Sequence, residues 1–279
     1  MTQLSLDIKR KILLYIPIYN CKKTIILVLN SIPKSTLEIS TILIVDNGST
    51  DDSVNVVKEW INSLNISFIN AILIQTTSNL GYAGSQKLAY SIANLSESVD
   101  WVIMLHGDAQ YDASLTKDLI GHINSEANAI YGYRTKTKYW RKDETPPLTW
   151  ASIKFLNIIE SLITGIKLKE WHTGFIMYSN KFLKQLNYDV LTDTPHLDGQ
   201  ILSISQTSPG GAIGIPIYKR YENLEQFSGL ARVRYITSVF KLMPIIKNMN
   251  KNKSYFRDNP LNLSKVNGKF SLLASRDSE

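Results

Sequence analysis

Apolar runs alternate with helix-spaced segments through the first half of the chain. KILLYIPIYN predicts a strand ending at Pro17, and CKKTIILVLNSI a short helix after it. ISTILIVDNGSTDD predicts a second strand that breaks into a turn. In DDSVNVVKEWINSL, Val54, Val57 and Ile61 fall on one helical face. NAILIQTTSN predicts a third strand, and GYAGSQKLAYSIANL a helix opened by glycine. A fourth strand, WVIMLHGD, precedes a helical ASLTKDLIGHIN and a short strand, NAIYGYR. Near-continuous apolar strands separated by helices predict an α/β fold with a mostly parallel sheet covered on both faces.

The second half is less regular. PPLTWASIKFLNIIESLI predicts an amphipathic helix after a proline pair, GFIMYS a strand, HLDGQILSISQ a helix and AIGIPIYKRY a strand. LARVRYITSVFKLMPII predicts a basic, apolar helix broken at Pro244. The expected organisation is a compact unit over residues 1–225 and a basic helical tail over residues 226–279, with the boundary near Gln226.

Charge sharpens that division. The chain of 279 residues carries a formal charge of +7. From Gln226 onward there are 10 Lys/Arg and 3 acids, leaving 21 of each before it, so the excess lies entirely in the tail. Such a tail could meet an anionic membrane surface or an acidic partner, or stay solvated. The basic residues are not interleaved with aromatics as a nucleic-acid groove requires, which argues against that partner. A single cysteine, Cys21, excludes an internal disulfide. With no leader-like start and no membrane-length apolar run, the expected location is cytoplasmic, with the inner membrane face as the alternative.

In open parallel sheets, ligands gather outside the carboxyl ends of strands. Asp46 and Asn47, Asn79, and the segment from His106 to Asp108 each follow an apolar strand. Asp46 could accept hydrogen bonds from a ribose or a base N–H, whereas Ser49, Thr50 and Asp51 suit a helix start. HGDAQ offers one carboxylate, Asp108, and one amide oxygen, Gln110. Those are hard ligands for Mg²⁺ or Mn²⁺, which take the rest of their shell from phosphate and water. Gly107 permits close backbone approach, and His106 fits an orienting hydrogen-bond donor better than a direct ligand.

IPIYN, VDNGSTD, NLGYAGSQKLAY, HGDAQY, YGYR, WHTGFIMYS and GIPIYKRY occur in an order that resembles glycosyltransferase family 2, most closely the dolichyl- and polyprenyl-phosphate sugar transferases. The resemblance spans about residues 11–225. It implies the GT-A (Rossmann-like) fold, a nucleotide-diphosphate sugar donor, a divalent metal and inversion at the anomeric centre. Pro17, Tyr19 and Asn20 match the loop that holds the nucleotide, and Asp46 the acid that recognises base or ribose. Asp108 matches the last acid of the Asp-x-Asp metal motif, Gln110 a further ligand, and Arg134 an arginine meeting the acceptor phosphate or the donor diphosphate. The chain departs from the pattern at His106, Asn47 and Cys21.

Transfer needs charge on the departing diphosphate neutralised, the usual role of a metal. Lys87, Arg134 and Lys136 are candidate cationic helpers, of which Arg134 alone stands out from ordinary surface cations. A lipid-phosphate acceptor needs no general base, whereas a sugar hydroxyl does. Asp198 is the candidate base, with a helix-start role as its alternative, and His172 and His196 are candidates for the acceptor side. The expectation is sugar transfer to a polyprenyl phosphate in cell-envelope glycan synthesis. Transfer to a glycan hydroxyl and a non-catalytic nucleotide-sugar-binding subunit remain as alternatives.

Overall fold

The structure, a computed structural model, describes residues 8–64, 69–136, 145–218, 229–256 and 268–276. Strands β1 (Ile12–Ile18), β2 (Ser40–Asp46), β3 (Asn70–Thr76) and β4 (Trp101–Met104) pair in parallel. Strands β5 (Ala129–Arg134), β6 (Ile176–Ser179), β7 (Ala212–Ile217) and β8 (Phe270–Arg276) complete one eight-stranded sheet in the order β7-β5-β6-β4-β1-β2-β3-β8. Strand β6 runs antiparallel to both neighbours, and β8 antiparallel to β3.

Alternation along each strand fills two core layers. Leu13, Tyr15, Leu43 and Val45 face one layer, and Leu14, Ile16, Ile42 and Ile44 the other. Helices α1 (Ile25–Ser31) and α3 (Ser53–Ser63) cover the second layer, with Val57, Trp60 and Ile61 buried and Val54 partly so. Helices α4 (Gly81–Leu95) and α8 (Leu197–Thr207) cover the first. A fully buried Leu or Ile contributes roughly 1.5–3 kcal/mol, so a slip of one residue in these strands would be prohibitive. The expected mostly parallel sheet with helices on both faces is the observed one. Short helices α2 (Lys34–Ile39), α5 (Thr116–Ile120) and α7 (Asn180–Leu183) lie in the connections.

The amphipathic segment after the proline pair forms α6 (Pro147–Thr164), ended by Gly165 at φ 77°. The C-terminal region differs from expectation at two points. Helix α9 (Gly229–Asn252) runs through Pro244 instead of breaking there. Pro244 and Phe240, whose carbonyl loses its partner, both lie on the exposed side, where water can replace the missing bond. The second point is β8, an unexpected strand that covers the outer edge of β3. Its pattern is half-exposed throughout and lacks clean alternation, as expected of an edge. The boundary expected at Gln226 lies outside the described residues, while α9 packs on α6 and α8.

Removing residues 268–279 bares the apolar edge of NAILIQT. A lower melting temperature and concentration-dependent self-association are expected, read by thermal melting and size-exclusion chromatography; an unchanged monomer would contradict this role for β8.

Candidate functional site

The sheet reverses its order between β4 and β1, and a cavity of about 620 Å³ opens at the carboxyl ends of these strands. Pro17 near the end of β1, Tyr19 just past it, Asn47 after β2 and Asn79 before α4 line one part of it. His106, Gly107, Asp108 and Gln110 after β4 line another, with Arg134, His172 and Asp198 completing the wall.

The loops of this rim are held by one another. Asn20, at φ 53°, donates its N–H to Ser49 Oγ, and its side-chain oxygen accepts from Thr50 N at 2.8 Å. Asn47 accepts from Leu80 N at 2.8 Å and donates to the Gly81 carbonyl at 3.0 Å, tying β2 to the start of α4. Asp46 is fully buried, and its carboxylate accepts from Gly48 N and Ser49 N of its own turn and from the Gln75 amide on the neighbouring β3. Asp46, Asn20 and Lys87 do not line the cavity. Lys87 instead donates to the Leu191 carbonyl and to Asp193, each at 2.7 Å, anchoring α4 to the loop before α8.

The HGDAQ loop is constrained at every residue. Gly107 packs on β1, where an added Cβ would stand 2.7 Å from Ile18 Cγ2 and 3.1 Å from the Pro17 carbonyl oxygen. Close approach is thus required by the neighbouring strand. Thr24 Oγ1 donates to the Gly107 carbonyl at 2.8 Å. Ala109 takes φ 61°, a conformation costing a non-glycine residue roughly 1–2 kcal/mol. That turn lets Gln110 N donate to Asp108 Oδ1 at 3.0 Å. Asp108 Oδ2 has no protein partner among the described residues, and the Gln110 side chain lines the same cavity. A carboxylate and an amide side chain two positions apart therefore fit one hard divalent cation. Cys21 supplies no thiolate there, because burial pushes its thiol up to about 11.

A partly buried chain of polar groups leads from this loop. His106 Nε2 lies 3.3 Å from the Tyr82 hydroxyl, which donates to Asp198 Oδ2 at 2.6 Å. Gln86 Nε2 donates to Asp198 Oδ1 and to the Tyr90 hydroxyl. Gly174 leaves the space that His106 and Tyr82 occupy. Asp198 sits in the first turn of α8, yet both its oxygens are directed at α4 and none caps a backbone N–H. Burial raises its pKa from an ordinary 3.8 to about 6, against the opposing hydrogen bonds from Tyr82 and Gln86.

Arg134, at the end of β5, is buried. Its Nη2 donates to the His172 carbonyl at 2.5 Å and lies 3.7 Å from the fully buried Glu170. The guanidinium is therefore pre-positioned at the cavity wall. His172 Nδ1 is 2.7 Å from the Tyr235 hydroxyl of α9. Glu160 of α6 lies 2.9 Å from His172 Nε2 and 2.9 Å from His196 Nε2. Burial pushes the Glu160 carboxyl up, but the two imidazoles outweigh it and hold it below its ordinary range. Burial holds His196 down against the same carboxylate.

Over residues 14–187 the sequence matches the family described as Glycosyl transferase family 2. The chain belongs to glycosyltransferase family 2. No curated protein matches it. Among solved structures, this family 2 member resembles glucosyl-3-phosphoglycerate synthase from Mycobacterium tuberculosis in complex with UDP. The identity is 14% and the TM-score 0.61, covering 96% of this chain and 90% of that one. The same synthase with Mn²⁺, UDP-glucose and phosphoglyceric acid matches with a TM-score of 0.58 at 12% identity, with the same coverage. S. aureus TarS (residues 1–349) with UDP-GlcNAc matches with a TM-score of 0.54 at 17% identity, covering 85% of this chain. The family 2 chain spans about two-thirds (65–66%) of the TarS structures' length. These likenesses show the GT-A fold.

Tyr82, Gln86, Glu160, Glu170 and Tyr235 escaped sequence reasoning. Tyr82 and Gln86 follow the glycine that opens α4, a signal that could have marked them. Glu160 sits in an apolar helix and reads as a solvent-facing residue, yet it is fully buried.

Two measurements probe this geometry. Gly107→Ala is expected to push the HGDAQ loop off β1 and weaken metal-dependent nucleotide binding in calorimetry at least about tenfold, equivalent to roughly 1.4 kcal/mol; unchanged affinity would contradict the packing. For Asp198, the folded pKa lies above the unfolded one. Its favourable contribution is therefore complete below about pH 4 and is lost as pH rises through about 6. Asp198→Asn should thus raise stability at pH 7.5, in metal-free buffer, by on the order of 2 kcal/mol. The gain should vanish near pH 4, as followed by denaturant melts.

Proposed function

We propose that this chain transfers a sugar, with inversion, from a nucleotide-diphosphate donor to a polyprenyl phosphate. Family membership supports sugar transfer. Pro17, Tyr19, Asn47 and Asn79 form the nucleotide end of the cavity, and the HGDAQ loop receives the diphosphate. Asp108 and Gln110 hold Mg²⁺ or Mn²⁺, which when bound neutralises charge growing on the leaving diphosphate. The homologous fold of the mycobacterial synthase, solved with Mn²⁺, UDP-glucose and phosphoglyceric acid together, supports this donor and metal. Arg134, locked by Glu170 and the His172 carbonyl, presents a fixed cation to the acceptor phosphate without reorganising during reaction.

The observation that carries the lipid acceptor is an apolar face beside the cavity. On α6, Leu148, Phe155, Ile158 and Leu162 are 81%, 63%, 58% and 76% exposed. Their spacing of seven, three and four residues puts them on one side of the helix. Val233, Ile236 and Phe240 are exposed along the adjoining α9. Leu148 and Ile236 also line the cavity, so the apolar surface continues into the site. Exposed Arg234 and Lys241 accompany it. An apolar helix face flanked by cations fits the interface of an anionic bilayer, from which a polyprenyl chain would enter. Among the described residues no helix is long and apolar enough to cross a membrane.

Asp198 favours a second reading. A carboxyl with a pKa of about 6 at the cavity wall is suited to take a proton from a sugar hydroxyl near neutral pH.

Nucleotide release with Mn²⁺, a panel of nucleotide sugars and a polyprenyl phosphate tests both readings. Asp108→Ala should lower turnover at least about a hundredfold, the equivalent of several kcal/mol. Nucleotide binding with no turnover of any donor would leave a binding subunit instead. Asp198→Asn should change transfer to lipid phosphate only a few-fold. A loss of about 10²–10⁴ with donor binding intact identifies a hydroxyl acceptor. Replacing Phe155 and Leu162 by serine should reduce co-sedimentation with anionic vesicles without lowering the melting temperature.

A further inference from the structure

A second set of ligating atoms, distinct from the HGDAQ loop, converges from α6, the segment entering β6 and the start of α8. Glu160 on α6, His172 before β6 and His196 at the start of α8 offer one carboxylate oxygen and two imidazole nitrogens, all within 4.8 Å of one another. Glu160 and His196 are 0% and 1% exposed. The two Nε2–carboxylate separations are both 2.9 Å. Neither contact, however, has the direction of a hydrogen bond: both Glu160 oxygens, both Nε2 atoms and His196 Nδ1 are buried without a hydrogen-bond partner. Buried polar groups are almost always satisfied, and a bound ion is one arrangement that would satisfy this whole cluster at once.

The surroundings fix the rings. Trp171 stacks on His196 with centroids 6.3 Å apart and planes 19° from parallel. On another side of the ring lies Gly199, where an added Cβ would stand 2.5 Å from His196 Cε1 and 2.8 Å from the Trp171 carbonyl oxygen. The 2.7 Å contact between His172 Nδ1 and the Tyr235 hydroxyl leaves Nε2 as the ligating atom, the outer-shell arrangement typical of metal-bound histidine.

We propose that Glu160, His172 and His196 bind a divalent transition-metal ion of the zinc class through two Nε2 atoms and the carboxylate. Two imidazoles and a carboxylate suit Zn²⁺ and its first-row neighbours better than Mg²⁺ or Ca²⁺, which prefer all-oxygen shells. Three protein ligands leave a fourth position for water or another small donor. The ion joins α6, the segment entering β6 and the start of α8, with α9 reaching it through Tyr235. It is independent of the cation at Asp108 and does not rest on the sugar-transfer reading.

The test uses the full chain carrying Asp108→Ala, which removes the other candidate ion, after dialysis against a chelator. One equivalent of Zn²⁺ per chain should survive gel filtration by elemental analysis. Co²⁺ should give visible d–d bands, and either ion should raise the melting temperature. Glu160→Gln and His196→Asn should each weaken Co²⁺ binding at least about tenfold, and Tyr235→Phe, which keeps all three ligands, by a smaller factor. Absence of Co²⁺ bands and of retained Zn²⁺ in the folded Asp108→Ala chain overturns the proposal without any variant of the cluster. Full Co²⁺ affinity in a folded Glu160→Gln chain overturns it as well.

Discussion

A parallel sheet buried on both faces leaves polar side chains only one place to go, the edges where its strands end. In this chain the four parallel strands bury Leu13 to Ile16, Ile42 to Val45, Ala71 to Ile74 and Val102 to Met104 almost completely. Polar residues at their carboxyl ends must then find partners in the neighbouring loops. Asn20 binds the turn after β2, Asn47 binds the start of α4, and Thr24 binds the Gly107 carbonyl. The site is thus a by-product of satisfying the sheet's rim, and its loops are rigid because they are one another's hydrogen-bond partners.

Two kinds of electrostatic stress sit on that rim. Asp198 is held where its charged form is disfavoured, and Tyr82 and Gln86 only partly relieve it. Arg134 is held beside Glu170, so its charge is compensated on one side while it remains on the cavity wall. Ala109 adds a backbone conformation that an alanine adopts only under constraint. Stress of these kinds is retained where surrounding structure imposes it; here Asp198 and Arg134 line one cavity, and Ala109 lies between Asp108 and Gln110, which line it too.

The apolar runs of the first four strands were readable because burial on both faces demands continuous hydrophobic sequence. Asp108, Gln110, Arg134 and His172 were readable as residues at strand or loop ends, and they do share a cavity. Lys87 and Asp46 carry the same kinds of group but are engaged by Asp193 and by the turn after β2, partners that sequence spacing does not reveal. Glu160 was hidden for the opposite reason, since a single acid in an apolar helix ordinarily marks the wet face. Strand β8 was hidden because an edge strand needs neither alternation nor full burial.

Local chemistry therefore settled the α/β alternation, the two-sided sheet and the concentration of polar groups after strands. Each follows from hydrophobic period and turn-forming residues within short windows. Tertiary structure decided what no window contains: that β8 returns to β3, that α9 continues past Pro244 on a solvated side, and that Asp198 meets Tyr82 and Gln86 more than 110 positions away. It likewise decided that Glu160, His172 and His196 converge. Partnership between distant side chains depends on which helix packs over which strand, and that is a property of the folded whole.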